Sequence, residues 1–138
     1  MRAAIINEIV VVDTNVVSFF LKGDTRAALY KPHLDDRLQI IAAQTRAELE
    51  LWTLMHNWGQ RRRAALRTYL KDFVLVEADE AICLRWAEVQ ASAQRQGRPI
   101  SVSDAWIAAT ALVHAVPLVT HNPGDFKNVM GLIVISEL

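Results

Sequence analysis

Residues 9–15 read Ile-Val-Val-Val-Asp-Thr-Asn, and the fold follows from this stretch. Four β-branched residues in a row, with no polar alternation, describe a short strand buried on both faces, which is the environment of a parallel sheet. An acid placed directly after such a strand sits at its carboxyl end, where open parallel sheets bind their ligands. Asp13 is therefore the first candidate site residue, and Thr14 or Asn15 is suited to cap the helix that VVSFFL (16–21) begins.

Downstream, strand and helix patterns alternate. After a break at Lys22-Gly23-Asp24, residues 25–35 read as a short helix limited by Pro32, and Leu38–Ala42 as a second strand. Gln44–Trp58 has helical spacing with Gly59 as its stop, and Gln60–Lys71 forms a basic helix. Phe73–Val76 is a third strand, and Asp79–Gln96 a long helix ended by Gly97 and Pro99. Ser101–His114 is an alanine-rich helix, apolar on nearly every side and hence buried. Val116–Thr120 and Leu132–Ile135 complete the strands, separated by the turn Asn122-Pro123-Gly124-Asp125. This alternation implies one α/β domain over 1–138, with about five parallel strands flanked by helices on both faces.

Composition narrows the function. The chain has 138 residues, 52% of them hydrophobic, which excludes intrinsic disorder for most of its length. Its one cysteine excludes an intrachain disulfide framework, and Cys83 reads as core beside Leu84. The longest apolar runs, Val16–Leu21 and Ala105–Val113, fall short of the ~18–20 residues that a membrane span needs. Asn7 and Glu8 interrupt any signal-peptide core at the amino terminus, so the expected compartment is the cytoplasm. Fifteen basic residues balance fifteen acidic ones, which argues against coating nucleic acid by bulk charge. A local patch is another matter. Arg61, Arg62, Arg63, Arg67 and Lys71 follow one another with no acid between them, and form either a solvated helix face or a phosphate-contacting surface.

Further acids accompany Asp13. Glu48 lies in the first turn of the helix after the second strand, and Asp104 in the first turn of the buried helix. Asn122 and Asp125 follow the fourth strand. Each also has a plain structural reading. Thr45-Arg46-Ala47-Glu48 fits a capping box, Ser101-Val102-Ser103-Asp104 a looser one, and Asn-Pro-Gly-Asp an ordinary turn. For Glu48, helical spacing places Leu51, Trp52 and Met55 on the same face, an apolar side with no basic residue on it. An acid there needs a partner, and a metal ion would serve. Hard cations such as Mg²⁺ or Mn²⁺ take oxygen ligands and suit a few convergent carboxylates. Zinc is disfavoured, because the four histidines show no paired ligand spacing.

Together, VVDTNVVS (11–18), TRAELE (45–50), SVSDAWIAATAL (101–112) and LVTHNPGDF (118–126) resemble the PIN-domain ribonucleases, specifically VapC-type toxins of type II (VapBC) toxin–antitoxin systems. The resemblance implies a PIN-like fold and Mg²⁺- or Mn²⁺-dependent hydrolysis of RNA phosphodiesters, with tRNA or rRNA as substrate and translation inhibited. It implies that Asp13, Glu48 and Asp104 are the catalytic, metal-site acids, with Thr14, Asn15, Ser103 and Thr120 as supporting polar neighbours. The family's fourth acid falls at Asn122, leaving Asn122 and Asp125 as the two candidates for that place. Arg61, Arg62, Arg63 and Arg67 become candidate RNA contacts. The resemblance further implies a homodimer and a cognate, VapB-like, DNA-binding antitoxin, whose tail packs on the toxin. Phe19, Phe20, Leu21, Trp52 and Trp58 either supply that groove or belong to the core. Two rival readings remain: a non-catalytic PIN-like module that binds RNA or protein, and another carboxylate-dependent phosphohydrolase. A haloacid-dehalogenase-type phosphatase needs an acid two residues after Asp13, where this chain has Asn15.

Overall fold

The computed structural model describes residues 9–138. The amino-terminal segment on which the signal-peptide reading rests lies outside the described residues. Strands β1 (Ile9–Val12), β2 (Leu38–Ala42), β3 (Val74–Val76), β4 (Leu118–Val119) and β5 (Val134–Ile135) form one sheet in the order β3-β2-β1-β4-β5. All neighbouring pairs are parallel. The helices are α1 (Thr14–Lys22), α2 (Ala27–Leu34), α3 (Ala43–Met55), α4 (Gln60–Leu70), α5 (Glu80–Arg95) and α6 (Val102–His114).

The β-branched run Ile9–Val12 behaves as its composition dictates. Val10, Val11 and Val12 are completely buried. Val10 and Val12 join Val16, Tyr30, Leu49 and Leu66 in one core, whereas Val11 joins Ile40, Ile107, Ala108 and Leu118 in the other. Alternation along a single strand thus feeds two hydrophobic layers, one beneath α1 to α4 and one beneath α6. The small faces of α6 let it lie close to the sheet, with Ala105, Ala108, Ala109 and Ala111 fully buried. Trp86 of α5 stacks on Trp106 of α6 at 4.9 Å, on the outer side of that layer.

Several boundaries differ from the sequence reading, each for a local reason. Asp13 itself caps α1, accepting a bond from the Thr14 amide, so neither Thr14 nor Asn15 does so. Helix α3 starts at Ala43, directly after β2 and with no side-chain cap. Thr45 is therefore a buried helical residue, and the capping box does not form. Gly59 does not end α3. The left-handed residue of that turn is Asn57, and Gly59 leads into α4 instead. Pro32 stands inside α2, a helix of only eight residues. Cys83 is exposed rather than core, because α5 turns it and Leu84 away from α6.

Because the order reverses from β1 to β4, the sheet has its switch point there, the place where parallel sheets open a ligand crevice. Helix α1 leaves that crevice and stops at Gly23, whose φ of 65° closes the helix in the left-handed conformation. A Cβ at Gly23 would meet nothing within 4 Å, so substitution there carries only a backbone cost. Gly23→Ala is accordingly expected to cost about 1 kcal/mol, lowering the thermal midpoint by a few degrees in a denaturation experiment. Gly23→Asn should cost less, because Asn tolerates the left-handed region.

Candidate active site

At the switch point a cleft of about 370 Å³ opens, walled by Asp13, Thr14, Asn15, Ser18, Lys22, Glu48, Leu49, Trp52, Asp104 and Asn122. Four elements deliver its acids and amide. Asp13 directly follows β1, α3 carries Glu48, the first turn of α6 carries Asp104, and the segment after β4 carries Asn122.

Asp13 is almost wholly buried, and its solvation comes from neutral donors. Oδ1 accepts the Thr14 amide at 2.8 Å, and Oδ2 accepts the Thr120 hydroxyl at 2.7 Å. The Asn15 side-chain amide approaches Oδ2 at 3.4 Å, while its oxygen accepts the His121 amide. Glu48 is gripped at both oxygens, Oε1 by the Thr14 hydroxyl at 2.7 Å and Oε2 by the Ser103 hydroxyl at 2.8 Å. The Thr14 hydroxyl also lies 3.0 Å from that of Thr45. Asp104 sits one turn into α6, where the Ser101 hydroxyl accepts its amide and completes the helix cap. That cap coexists with a carboxylate facing the cleft. Thr14, Asn15, Ser103 and Thr120, read from sequence as supporting neighbours, are thus the groups that hydrogen-bond the two most constrained acids.

Glu48 reaches this cleft by a different face than its sequence spacing suggested. The buried face of α3 is Thr45, Leu49 and Thr53, whereas Leu51 and Met55 are exposed. Glu48 lies on the flank between core and solvent, beside Trp52, and one turn deeper in the helix than expected because α3 begins at Ala43. No basic residue of α3 shares this side, but Lys22 enters the same cleft from the end of α1. Glu50, by contrast, faces away and pairs with Arg46.

The two candidates for the fourth position separate. Asn122 lines the cleft. Asp125 lines a neighbouring cavity of about 260 Å³ on the other side of Asp104, which borders both. Arg61, Arg62, Arg63 and Arg67 are not among the cleft's walls; they lie along α4, with Arg67 4.0 Å from Glu50. Of the apolar residues proposed for a groove or core, Phe19 belongs to the core, and Phe20, Leu21 and Trp58 pack half-buried against it.

Burial is the main force on the acids' protonation. It drives the Asp13 carboxyl up from 3.8 to about 6, against the Thr120 and Thr14 hydrogen bonds, and the charges of Asp104 and Glu48 push the same way. Asp104 is also raised, first by burial and then by the charges of Asp125 and Glu48, with the bond to Ser101 opposing. Among the described residues, no lysine or arginine forms an ion pair with Asp13, Glu48 or Asp104. Nor do any three His, Cys, Asp or Glu side chains there converge closely enough to enclose a metal unaided. Repelling carboxylates ordered by neutral donors suit a hard cation that keeps several waters and takes one or two carboxylates directly, as Mg²⁺ does.

The fold and this acidic cleft define a PIN-type α/β domain, and a model of the PIN domain family matches residues 10–132. The chain belongs to the PIN domain family. It is similar to the tRNA(fMet)-specific endonuclease VapC of Shigella flexneri, 26% identical over 120 residues that span 87% of this chain and 91% of that protein. Ribonuclease VapC1 of Haemophilus influenzae (strain R2866) is 29% identical over 128 residues, 90% of this chain and 94% of the relative. Among solved structures, VapBC-1 from nontypeable Haemophilus influenzae aligns with a TM-score of 0.78 at 26% identity, covering 93% of this chain and 97% of that one. A toxin–antitoxin complex from Klebsiella pneumoniae aligns with a TM-score of 0.70 at 25% identity, covering 92% and 96%. No helix among the described residues is long and apolar enough to cross a membrane.

The buried acid has a consequence for stability. Below pH 3.8 both folded and unfolded chains hold the Asp13 proton; between 3.8 and about 6 the unfolded chain ionises first, so stability falls as pH rises. Above that window the whole cost is present, about 3 kcal/mol at most. In chelator, Asp13→Asn should therefore raise the thermal midpoint at about pH 7.5 by several degrees and change it little near about pH 4. Equal midpoint changes at both pH values would show that the charge on Asp13 is not what folding opposes.

Proposed function

We propose that this chain is the toxin of a type II toxin–antitoxin pair, a divalent-cation-dependent endoribonuclease that hydrolyses RNA phosphodiester bonds and so inhibits translation. The observation that carries the reading is the cleft at the β1–β4 switch point, where Asp13, Glu48 and Asp104 line one crevice and, among the described residues, form no ion pair with a lysine or arginine. The names of its relatives support it: an endonuclease and a ribonuclease with similarity along nearly the whole chain.

Asp13 and Asp104 are the residues suited to hold Mg²⁺ or Mn²⁺ directly. A bound cation of this kind supplies Lewis-acid stabilisation for charge growing on a phosphoryl group and lowers the pKa of water. The chain's own residues orient the rest. With both oxygens engaged by Thr14 and Ser103, Glu48 is held in a fixed orientation, able to accept a proton or order water at the cleft wall. Thr120 fixes the Asp13 carboxylate and also accepts the Asn122 amide, which ties the segment after β4 to the end of β1. Asn122 lines the cleft, where a side-chain amide can orient water or substrate without adding charge.

The partners follow from the same reading. The chain pairs with a cognate, VapB-like, DNA-binding antitoxin and assembles as a homodimer; the toxin–antitoxin complexes among its structural relatives support the antitoxin partner. The RNA is a tRNA or rRNA, and the site of action is the cytoplasm.

Expression without antitoxin should arrest a bacterial host, and Asp13→Asn should relieve the arrest. In vitro, Asp13→Asn, Asp104→Asn and Glu48→Gln should each lower RNA cleavage by at least about a hundredfold, whereas Glu50→Gln should leave it nearly intact. Full cleavage in the presence of excess chelator, or by Asp13→Asn, would refute the assignment.

The fourth position gives a second test. Asn122→Asp should keep activity and tighten Mn²⁺ binding, since it adds a carboxylate to the cleft. Asp125→Ala should cost less activity than Asp104→Ala. Cleavage measured across a metal titration decides the matter: an Asp125→Ala protein as inactive as Asp104→Ala, with no gain from Asn122→Asp, would give the position to Asp125.

A further inference from the structure

A row of cations and rings runs from the acidic cleft to α4. Lys22, the last residue of α1, is one wall of the cleft, and its ammonium lies 4.6 Å from the centroid of the Trp52 ring. Trp52 packs edge-on against Trp58, with centroids 4.8 Å apart. The guanidinium of Arg62, in the first turn of α4, lies 3.8 Å from the Trp58 ring centroid. The sequence thus brings together residues from three separate helices and the turn between two of them.

Among the described residues, neither cation in this row forms an ion pair, and no carboxylate lies within 4.0 Å of the Lys22 or Arg62 charge. An aromatic face attracts a cation through its quadrupole and supplies no formal charge. The rings therefore hold two long, mobile side chains in place while leaving their positive charge available. That combination of ordered cations and aromatic surface is how proteins follow a single nucleic-acid strand. For Lys22 the arrangement is pointed, because Glu48 and Asp104 share its cleft and yet make no ion pair with it.

We propose that this row is the track on which an unpaired strand of the RNA substrate leaves the acidic cleft. Lys22 binds a phosphate next to the scissile one, and Arg62 binds a phosphate farther along the strand. Trp52 and Trp58 are positioning residues that hold the two cations. The inference rests on the ribonuclease reading and adds to it the direction of the strand and the residues that grip it.

The test is binding of a fluorescent single-stranded RNA oligonucleotide in chelator, measured by anisotropy across a salt series, with steady-state cleavage measured in parallel. Lys22→Gln and Arg62→Gln should each flatten the slope of log K against log salt by about 0.7, and the double variant by about 1.4. Each should raise KM by several-fold, with a smaller effect on kcat. Lys22→Arg and Trp52→Phe should restore most of the binding, whereas Trp52→Leu should lose as much as Lys22→Gln. Variants that bind and cleave like the wild type would overturn the track while leaving the nuclease intact. A Lys22→Gln protein with lower kcat and an unchanged salt slope would also overturn it, assigning Lys22 to the charge balance of the cleft. So would loss of antitoxin binding with RNA binding unaltered, which would make the row a protein interface. A wild-type protein that neither binds nor cleaves RNA would remove the ribonuclease reading itself, and the track with it.

Discussion

A carboxylate that follows three completely buried strand residues must find its solvation inside the protein, and in this chain it finds it in neutral donors. The Thr120 hydroxyl and the Thr14 amide hold Asp13, and the Thr14 and Ser103 hydroxyls hold Glu48. Neutral donors fix the orientation of an oxygen without cancelling its charge. An arginine in the same place would have made a stable ion pair and left little field for anything else. The acids consequently repel one another across the cleft, a cost to folding that a bound divalent cation would offset.

The same hydrogen bonds join the elements that form the cleft. Thr14 belongs to α1, Thr45 and Glu48 to α3, Ser103 to α6, and Thr120 follows β4. Beneath them the sheet is rigid, because β1 is buried on both faces and paired on both edges. Chemistry that needs several oxygens placed to within a fraction of an ångström is better served by side chains on such elements than by loops. The network therefore does two jobs: it satisfies buried polar groups, and it fixes the geometry of the site.

Much of this was legible in the sequence, and the reasons differ by residue. Asp13 could be placed because a β-branched run ended directly at it, and α6 because its alanines and its Ser101 cap leave little ambiguity. Glu48 was selected through a face of α3 that proved to be partly exposed. With Leu51 and Met55 in solvent and Thr45 and Thr53 buried, hydrophobicity alone misplaces the inward side of that helix. Nothing in the sequence marks Lys22 as a cleft residue, because a lysine in the last turn of a helix is already explained by the helix dipole. Its neighbour Trp52 lies thirty residues away, and only the packing of α1 against α3 brings the two together. The contrast between Asn122 and Asp125 was equally hidden, since a short 3-10 turn over Pro123–Phe126 decides which of them borders the cleft.

On the proposed function, the acids of this cleft, which form no ion pair with a lysine or arginine among the described residues, are ordered to receive a divalent cation. Anomalous diffraction from crystals soaked in Mn²⁺ examines that role most directly. The account predicts a strong anomalous peak at the mouth of the switch-point crevice, bordered by Asp13 and Asp104, that disappears in Asp13→Asn crystals. An absence of density there at saturating Mn²⁺, with the Lys22 ammonium bridging the carboxylates instead, would contradict it.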